Sequence, residues 1–316
     1  MSLLAPIISV FNYALQPVAP FTWFNISIST LDIIGAFRLC IVLRQIKESL
    51  YHQHVHVKKG SPEPRSLARD ISTTLTVVYG GEVMTGTCSP YGPFEAHCAS
   101  APLLGVPPSF MVSGVIPLFF AGVQAIVEML PAVPPMSINT ELPLSIVDGF
   151  TRTLLLCNLI PPAVTGNSSP AIAASPWTLL VTSLVTANGG FFLTNLVSFL
   201  NPTPLALQTP PELQPYGWTA TDLWCAPLVT GIYALLTHAQ PFWADLHTVL
   251  STMLGVGVSA KSGGGVEALD PHTARAVCVV VLTTLFVGRT VKNFAPEVWN
   301  NVFGGIKQKG EKLKTQ

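Results

Sequence analysis

Two pairs of adjacent glycines, each followed by a threonine, are the residues best suited to handling an ion in apolar surroundings. Gly80 and Gly81 precede Thr85 in the first copy. The second copy consists of Gly189, Gly190 and Thr194. Adjacent glycines cost a helix about 1 kcal/mol each relative to alanine, so each copy predicts a helix break. The carbonyls freed by a break, together with threonine hydroxyls, can replace part of a cation's hydration shell.

The second glycine pair belongs to a polar strip. The strip consists of Thr182, Thr186, Gly189, Gly190 and Thr194, with Asn195 extending it. These positions, Asn195 apart, fall within about 140° of arc on a helix. Small residues of this kind also allow helices to pack closely. The repeated glycine pair favours a polar pathway, with Thr85, Thr194 and Asn195 lining it.

Two arginines, Arg38 and Arg152, lie in apolar segments. A cation in the middle of a bilayer costs about 2.5–3.5 kcal/mol on insertion scales, so it normally faces a cavity or a partner. For Arg38 two interpretations remain: a structural ion pair with Asp32, or a functional role. For Arg152 we favour a role in the pathway or at a lipid over a structural pair with Asp148. Further candidate partners are Glu82 and Glu128.

The composition is that of a polytopic membrane protein. Of 316 residues, 49% are hydrophobic and 10% are charged, and the mean hydropathy is +0.50. Soluble domains have about 25% charged residues. A helix needs about 20 apolar residues to cross the hydrocarbon core. Seven segments meet this requirement and predict an all-α fold: 22–46, 67–88, 107–130, 142–161, 176–199, 219–239 and 271–292.

The basic residues predict the orientation. Twelve of the 16 lysines and arginines flank the first connection or follow the last segment. With seven spans, both groups fall on one side, which the positive-inside rule assigns to the cytosol. We therefore expect a lumenal amino-terminal segment (1–20), a seven-helix domain (21–292) and a basic cytosolic tail (293–316).

The glycine pairs also predict an internal duplication. They lie in the second and fifth segments, so an odd number of spans inverts one copy relative to the other. Repeat one covers about 21–131, repeat two about 141–240, and the seventh helix (271–292) lies outside both. The stretch 242–270 combines an amphipathic part, which could lie in the membrane interface, with a glycine-rich linker.

Three sequence stretches resemble the trimeric intracellular cation (TRIC) channel family. They are LTVVYGGEVMTG (75–86), VDGFTRT (147–153) and TANGGFFLTNLVSFLNP (186–202), and the order of segments follows the family over about 20–292. The resemblance implies a homotrimer with one ion pathway in each subunit. It also implies a potassium channel that supplies counter-ion flow during calcium release or uptake by an intracellular membrane.

The chain departs from the family at the fourth segment. Animal members have a Lys-Glu-Val motif there, and its lysine and a following arginine hold a phosphoinositide headgroup near the second-span glycines. Asp148 stands in place of the lysine, and Arg152 is kept. The aspartate removes one phosphate contact and repels the headgroup, which argues against phosphoinositide binding. Arg152, Gly80 and Gly81 remain candidates for lipid contact, while Asp148 would attract cations to the pathway.

The carboxyl-terminal residues predict a location. KLKTQ (312–316) has the dilysine spacing that is typical of a receptor-read signal for return to the endoplasmic reticulum. Such signals are addresses and not anchors. We therefore expect the protein in the endoplasmic reticulum or the continuous nuclear envelope.

The cysteines divide into two groups. Cys40, Cys157, Cys225 and Cys278 fall in apolar segments, where we expect small buried hydrophobic residues. Cys88 and Cys98 share one short loop and could form a disulfide in an oxidising lumen.

Other chemistry finds little support in the sequence. There is no glycine-rich phosphate loop, zinc-protease helix or nucleophile elbow, so we expect no enzyme, cofactor, metal site or nucleic-acid partner. His52, His54 and His56 alternate and could hold a divalent metal weakly, but a solvated loop is the simpler interpretation. The alternative functions are a secondary carrier for a small solute, which uses the same inverted architecture, and a seven-span receptor.

Overall fold

The computed structural model describes residues 4–19, 27–57, 61–86, 109–255 and 266–299. All the secondary-structure elements in these ranges are helices, and this confirms the predicted all-α class. The helices are α1 (Ala5–Ala14), α2 (Thr30–His52), α3 (Leu67–Gly86), α4 (Ser109–Val112), α5 (Val115–Met129), α6 (Ile138–Thr153), α7 (Ile160–Thr165), α8 (Pro170–Ala173), α9 (Pro176–Leu196), α10 (Thr221–Thr237), α11 (Pro241–Met253) and α12 (Pro271–Phe294).

Three helical runs of the described chain are long and apolar enough to cross a membrane, which is consistent with an integral membrane protein. They are 138–165, 176–196 and 271–294. The other predicted segments also contain helices, namely α2, α3, α5 and α10. However, α5 has only 15 residues, and α2 carries several charged side chains. The seven-span order therefore stays a prediction.

The longest run joins α6 to α7 through a π turn at Leu154–Leu159. Pro161 and Pro162 lie just beyond this turn. Proline has no N–H for the helical hydrogen bond, and its ring crowds the preceding turn. A widened π turn absorbs this loss without ending the helix, so the run continues to Thr165.

The most extensive packing is between α3 and α9 and between α6 and α12. Helix α10 contacts both α9 and α12, and α5 packs against α2 and α3. The largest apolar core joins α6–α7, α9, α10 and α12. Its buried members include Leu156, Val164, Leu179, Val229, Leu282 and Phe286.

Four cysteines confirm their predicted role as buried apolar residues. Cys40, Cys157, Cys225 and Cys278 are all buried and free. The predicted pair of Cys88 and Cys98 lies outside the described residues.

Hydrogen bonds between helix ends show that α9 runs antiparallel to both α3 and α10. Arg69, at the start of α3, donates to the carbonyl of Phe199 just beyond α9, at 3.0 Å. The same guanidinium donates to the carbonyls of Ser198, Asn201 and Thr203. At the other end of α9, Gln240 donates to the carbonyl of Ala173 at 2.7 Å. The end of α9 thus lies beside the start of α3, and the end of α10 beside the start of α9.

The predicted helix breaks at the glycine pairs are wrong. Helix α3 runs without interruption through Gly80 and Gly81, and α9 runs through Gly189 and Gly190. The low helix propensity of glycine is a difference of about 1 kcal/mol per residue, which tertiary packing readily overrides.

The stretch 242–270 begins with α11, which packs against α10. Trp243 is buried, and its ring lies over Gly231 of α10, 3.5 Å from the position a Cβ would take there. His238 ends α10 with a φ of 53°, and its Nε2 lies 2.8 Å from Nδ1 of His247 on α11. The predicted linker at 261–265 lies outside the described residues.

We expect acidification to weaken the contact between α10 and α11. Burial, and then the neighbouring His238, lower the pKa of His247. A histidine with a lowered pKa contributes stability above its unfolded pKa of about 6.5, and this contribution is lost as the pH falls below that value. Thermal unfolding followed between about pH 8 and about pH 5 measures the effect. His247→Gln should flatten this pH dependence and His54→Gln should not; equal slopes in all three proteins would contradict the prediction.

Candidate functional site

The two glycine pairs meet each other where α3 crosses α9. A Cβ built on Gly80 would lie 2.9 Å from the Cα of Gly190, and one on Gly189 would lie 2.9 Å from the Cα of Gly81. A Cβ on Gly81 would overlap the carbonyl oxygen of Thr186, and one on Gly190 would overlap that of Val77. The contacts are reciprocal, and only glycine permits this separation. The glycines therefore provide close packing.

The threonines that follow the glycines are satisfied within their own helices. Thr85 is buried and donates to the carbonyl of Gly81 at 3.0 Å. Thr194 is buried and donates to the carbonyl of Gly190 at 2.9 Å. Asn195, the next residue, is half-buried. The predicted freed carbonyls are therefore not found at this crossing, because both helices are continuous there. A pathway lined by Thr85, Thr194 and Asn195 stays a prediction.

Charged and hydroxyl side chains lie along one face of α6. Glu141, Ser145, Asp148 and Arg152 are spaced four, three and four residues apart, which places them on a single helix face. The hydroxyls of Ser145 and Thr290 of α12 lie 2.7 Å apart in the buried contact between the two helices. We call the set Glu141, Ser145, Asp148 and Arg152 the α6 track.

Arg38 of α2 binds the first part of the α6 track. Its Nε and Nη2 donate to the two carboxylate oxygens of Asp148 at 3.1 and 3.0 Å, and Nη2 donates to Glu141 at 2.7 Å. The side chains of Arg38 and Glu141 are each 10% exposed. One cation with two carboxylates leaves a formal charge of −1. Oε1 of Glu141 and Nη1 of Arg38 are buried and have no hydrogen-bond partner among the described residues.

Asp32 and Glu128 have other roles than the predicted pairing with Arg38. Asp32 accepts hydrogen bonds from the backbone and hydroxyl of Ser29, at 2.9 and 2.6 Å, and so caps the start of α2. Glu128 binds Lys47 at 2.8 Å. Lys47 also binds Asp70 at 2.9 Å, so this lysine of the predicted basic cluster joins α2 to α3 and α5.

Arg152 belongs to a second charged group, at the other end of the α6 track. Its Nη2 donates to the carbonyl of Ala187 at 3.0 Å, close to the second glycine pair on α9. Its Nη1 lies 3.6 Å from Asp222 of α10, which also binds Arg289 of α12. The alternative that the sequence analysis did not favour, a structural pair of Arg152 with Asp148, is not formed, because Asp148 is held by Arg38.

Glu141, Asp222 and Arg289 were missed as site residues by the sequence reasoning. The spacing of Glu141 and Ser145 ahead of Asp148 was a usable signal, since it continues the polar face of α6 by two turns. Asp222 and Arg289 come together with Arg152 only because α12 packs against α6, while α10 packs against both α9 and α12. No local sequence pattern predicts this contact between the three side chains.

The alternating histidines lie at the end of α2. The rings of His52 and His56 have centroids 4.2 Å apart. Within the described ranges, no group of three or more histidine, cysteine, aspartate or glutamate side chains is placed to hold a metal ion.

Comparison with known proteins identifies no relative. No protein-family model, no curated protein and no solved structure matches this chain.

Proposed function

We propose that this protein conducts a monovalent cation, potassium by its resemblance to the TRIC family, across an intracellular membrane. The observation that carries the proposal is the largely buried group of Arg38, Glu141 and Asp148 between the apolar helices α2 and α6. The more exposed group of Arg152, Asp222 and Arg289 continues the line of charges from the other end of the α6 track. Charged groups in such surroundings are costly, and they typically mark the route of an ion or a substrate.

The reciprocal crossing of α3 and α9 supports seven spans in two inverted repeats. Gly80 meets Gly190, and Gly189 meets Gly81, as a two-fold axis between the helices would require. In each proposed repeat, the third helix also packs against the first and the second. The homotrimer, the reticulum location and the role in counter-ion flow rest on the resemblance to the TRIC family.

The proposed route follows the α6 track and not the glycine crossing. Glu141 and Asp148 supply carboxylate oxygens beside Arg38, and the excess negative charge favours a cation over an anion. Arg152 and Arg289 form a positive region held by Asp222, which sets a barrier at that end. The glycine crossing then acts as the packed contact about which the two repeats are arranged.

A secondary carrier is the second candidate, and the closed crossing favours it. Carriers occlude their substrate between inverted repeats, and shared carboxylates allow ion pairs to exchange during the cycle. Asp222, which faces both Arg152 and Arg289, is placed for such an exchange.

Purified protein in planar bilayers with potassium gradients tests the proposal. We expect unitary cation currents, and we expect Asp222→Asn to reduce them roughly tenfold, because a barrier increase of about 1.4 kcal/mol has that effect. The barrier rises because two arginines lose their carboxylate. Glu267→Gln, an exposed acid outside the track, should leave the current unchanged. Saturable solute uptake without unitary currents would favour the carrier, and the lack of both would overturn the proposal.

A further inference from the structure

An open groove of about 640 Å³ lies between the start of α10 and the last turns of α12. Its lining includes Trp224, Leu285, Gly288, Val291, Lys292 and Trp299. The walls are mostly apolar. The groove belongs to neither the α6 track nor the glycine crossing, although Arg289 borders it from the α12 side.

Two tryptophans, Trp224 and Trp299, line the groove. Trp224 is 39% exposed on α10. Trp299 packs over Gly288, with its ring 3.6 Å from the position a Cβ would take. Tryptophan combines a large apolar ring with an N–H donor, and it is enriched where a protein meets the boundary between lipid tails and headgroups.

The charge at the groove is positive. Arg289 lies with its guanidinium carbon 4.8 Å from the centre of the Phe286 ring and pairs with Asp222, which it shares with Arg152. Lys292, one turn further, is exposed and has no carboxylate partner in the part of the chain that the structure describes. Apolar walls that end at Arg289 and the exposed Lys292 complement a molecule with an apolar tail and an anionic head.

We propose that this groove binds one anionic phospholipid, with an acyl chain along Leu285 and Val291 and the phosphate at Lys292. The proposal rests on the membrane-spanning part of the proposed function and not on conduction. It also differs from the lipid contact predicted at Arg152, Gly80 and Gly81, because those glycines are packed against α9.

Native mass spectrometry of the delipidated protein with phosphatidylglycerol or phosphatidylcholine tests the proposal. We expect one tightly bound phosphatidylglycerol in the wild type and weaker binding of phosphatidylcholine. Lys292→Glu should weaken phosphatidylglycerol binding roughly tenfold, since it replaces an attraction by a repulsion. Lys292→Arg should keep the affinity, and so should Arg65→Gln, which removes an exposed cation outside the groove.

A second variant tests the apolar part of the groove. Gly288→Leu should fill the space beneath Trp299 and weaken both lipids, while thermal unfolding shows that the protein remains folded. Equal losses for Lys292→Glu and Arg65→Gln would overturn the proposal, because they would indicate unspecific attraction. It would also be overturned if the wild type bound no phosphatidylglycerol. A change in the number of subunits in Lys292→Glu would then indicate that a second copy of the chain occupies the groove. Neither lipid binding nor subunit number is measured through ion currents. A failure of the proposed conduction would therefore leave this proposal untouched, and the reverse also holds.

Discussion

Gly190→Ala will destabilise the protein by about 3 kcal/mol, the upper end of the usual cost of overpacking, because the contact is backbone against backbone. The new methyl group would overlap the carbonyl oxygen of Val77, which is backbone of α3 and cannot turn away. We expect a lower unfolding temperature in detergent, measured by circular dichroism, and a loss of monodisperse protein.

Gly122→Ala is the matched control, because it makes the same change in a helix where a Cβ meets no atom within 4 Å. Alanine is the better helix former by about 1 kcal/mol, so this variant should equal or exceed the wild type in stability. Wild-type stability in Gly190→Ala would mean that α3 and α9 do not cross as closely as described.

Arg38→Met will destabilise the protein by about 3–5 kcal/mol, the range observed when one partner of a buried ion pair is removed. Glu141 and Asp148 would then face each other across apolar surroundings without a cation. Thermal unfolding in detergent measures the loss. Arg65→Gln, which removes an exposed arginine that the structure places over the ring of Tyr51, should change the unfolding temperature little.

A combined variant separates the pairing from the bulk of the arginine. Arg38→Met together with Glu141→Gln and Asp148→Asn removes the uncompensated charge and should recover much of the lost stability. If the triple variant were as unstable as Arg38→Met alone, packing around Arg38 and not its charge would hold α2 against α6. The same triple variant should lose the cation preference of any current.

These two predictions concern different parts of the proposed function. The glycine crossing joins the second helices of the proposed repeats, and the pair of Arg38 with Glu141 and Asp148 joins the first helices, α2 and α6. Both contacts link one proposed repeat to the other. A disturbance of either should therefore alter how the repeats are arranged around the α6 track.

Much of the secondary structure follows from the sequence because it depends on local patterns. Long apolar runs separated by proline-rich turns predicted helices in all seven segments, and each segment contains one. The boundaries were less accurate: α2 begins at Thr30 and not near 22, because Ser29 and Asp32 form the cap there. The predicted segment 142–161 was also too short, because the helix continues past the π turn and through Pro161 and Pro162.

The sequence by itself determined that the chain is helical and apolar, that four cysteines are buried, and that the glycine pairs and the arginines of α2 and α6 are unusual positions. Only the tertiary structure decided what these positions do. Two adjacent glycines permit either a helix break or a close helix contact, and the carbonyl of Val77 on the facing helix selects the contact. Likewise, Arg38 finds its partners more than 100 positions away, because burial of charge requires compensation in space and takes no account of distance along the chain.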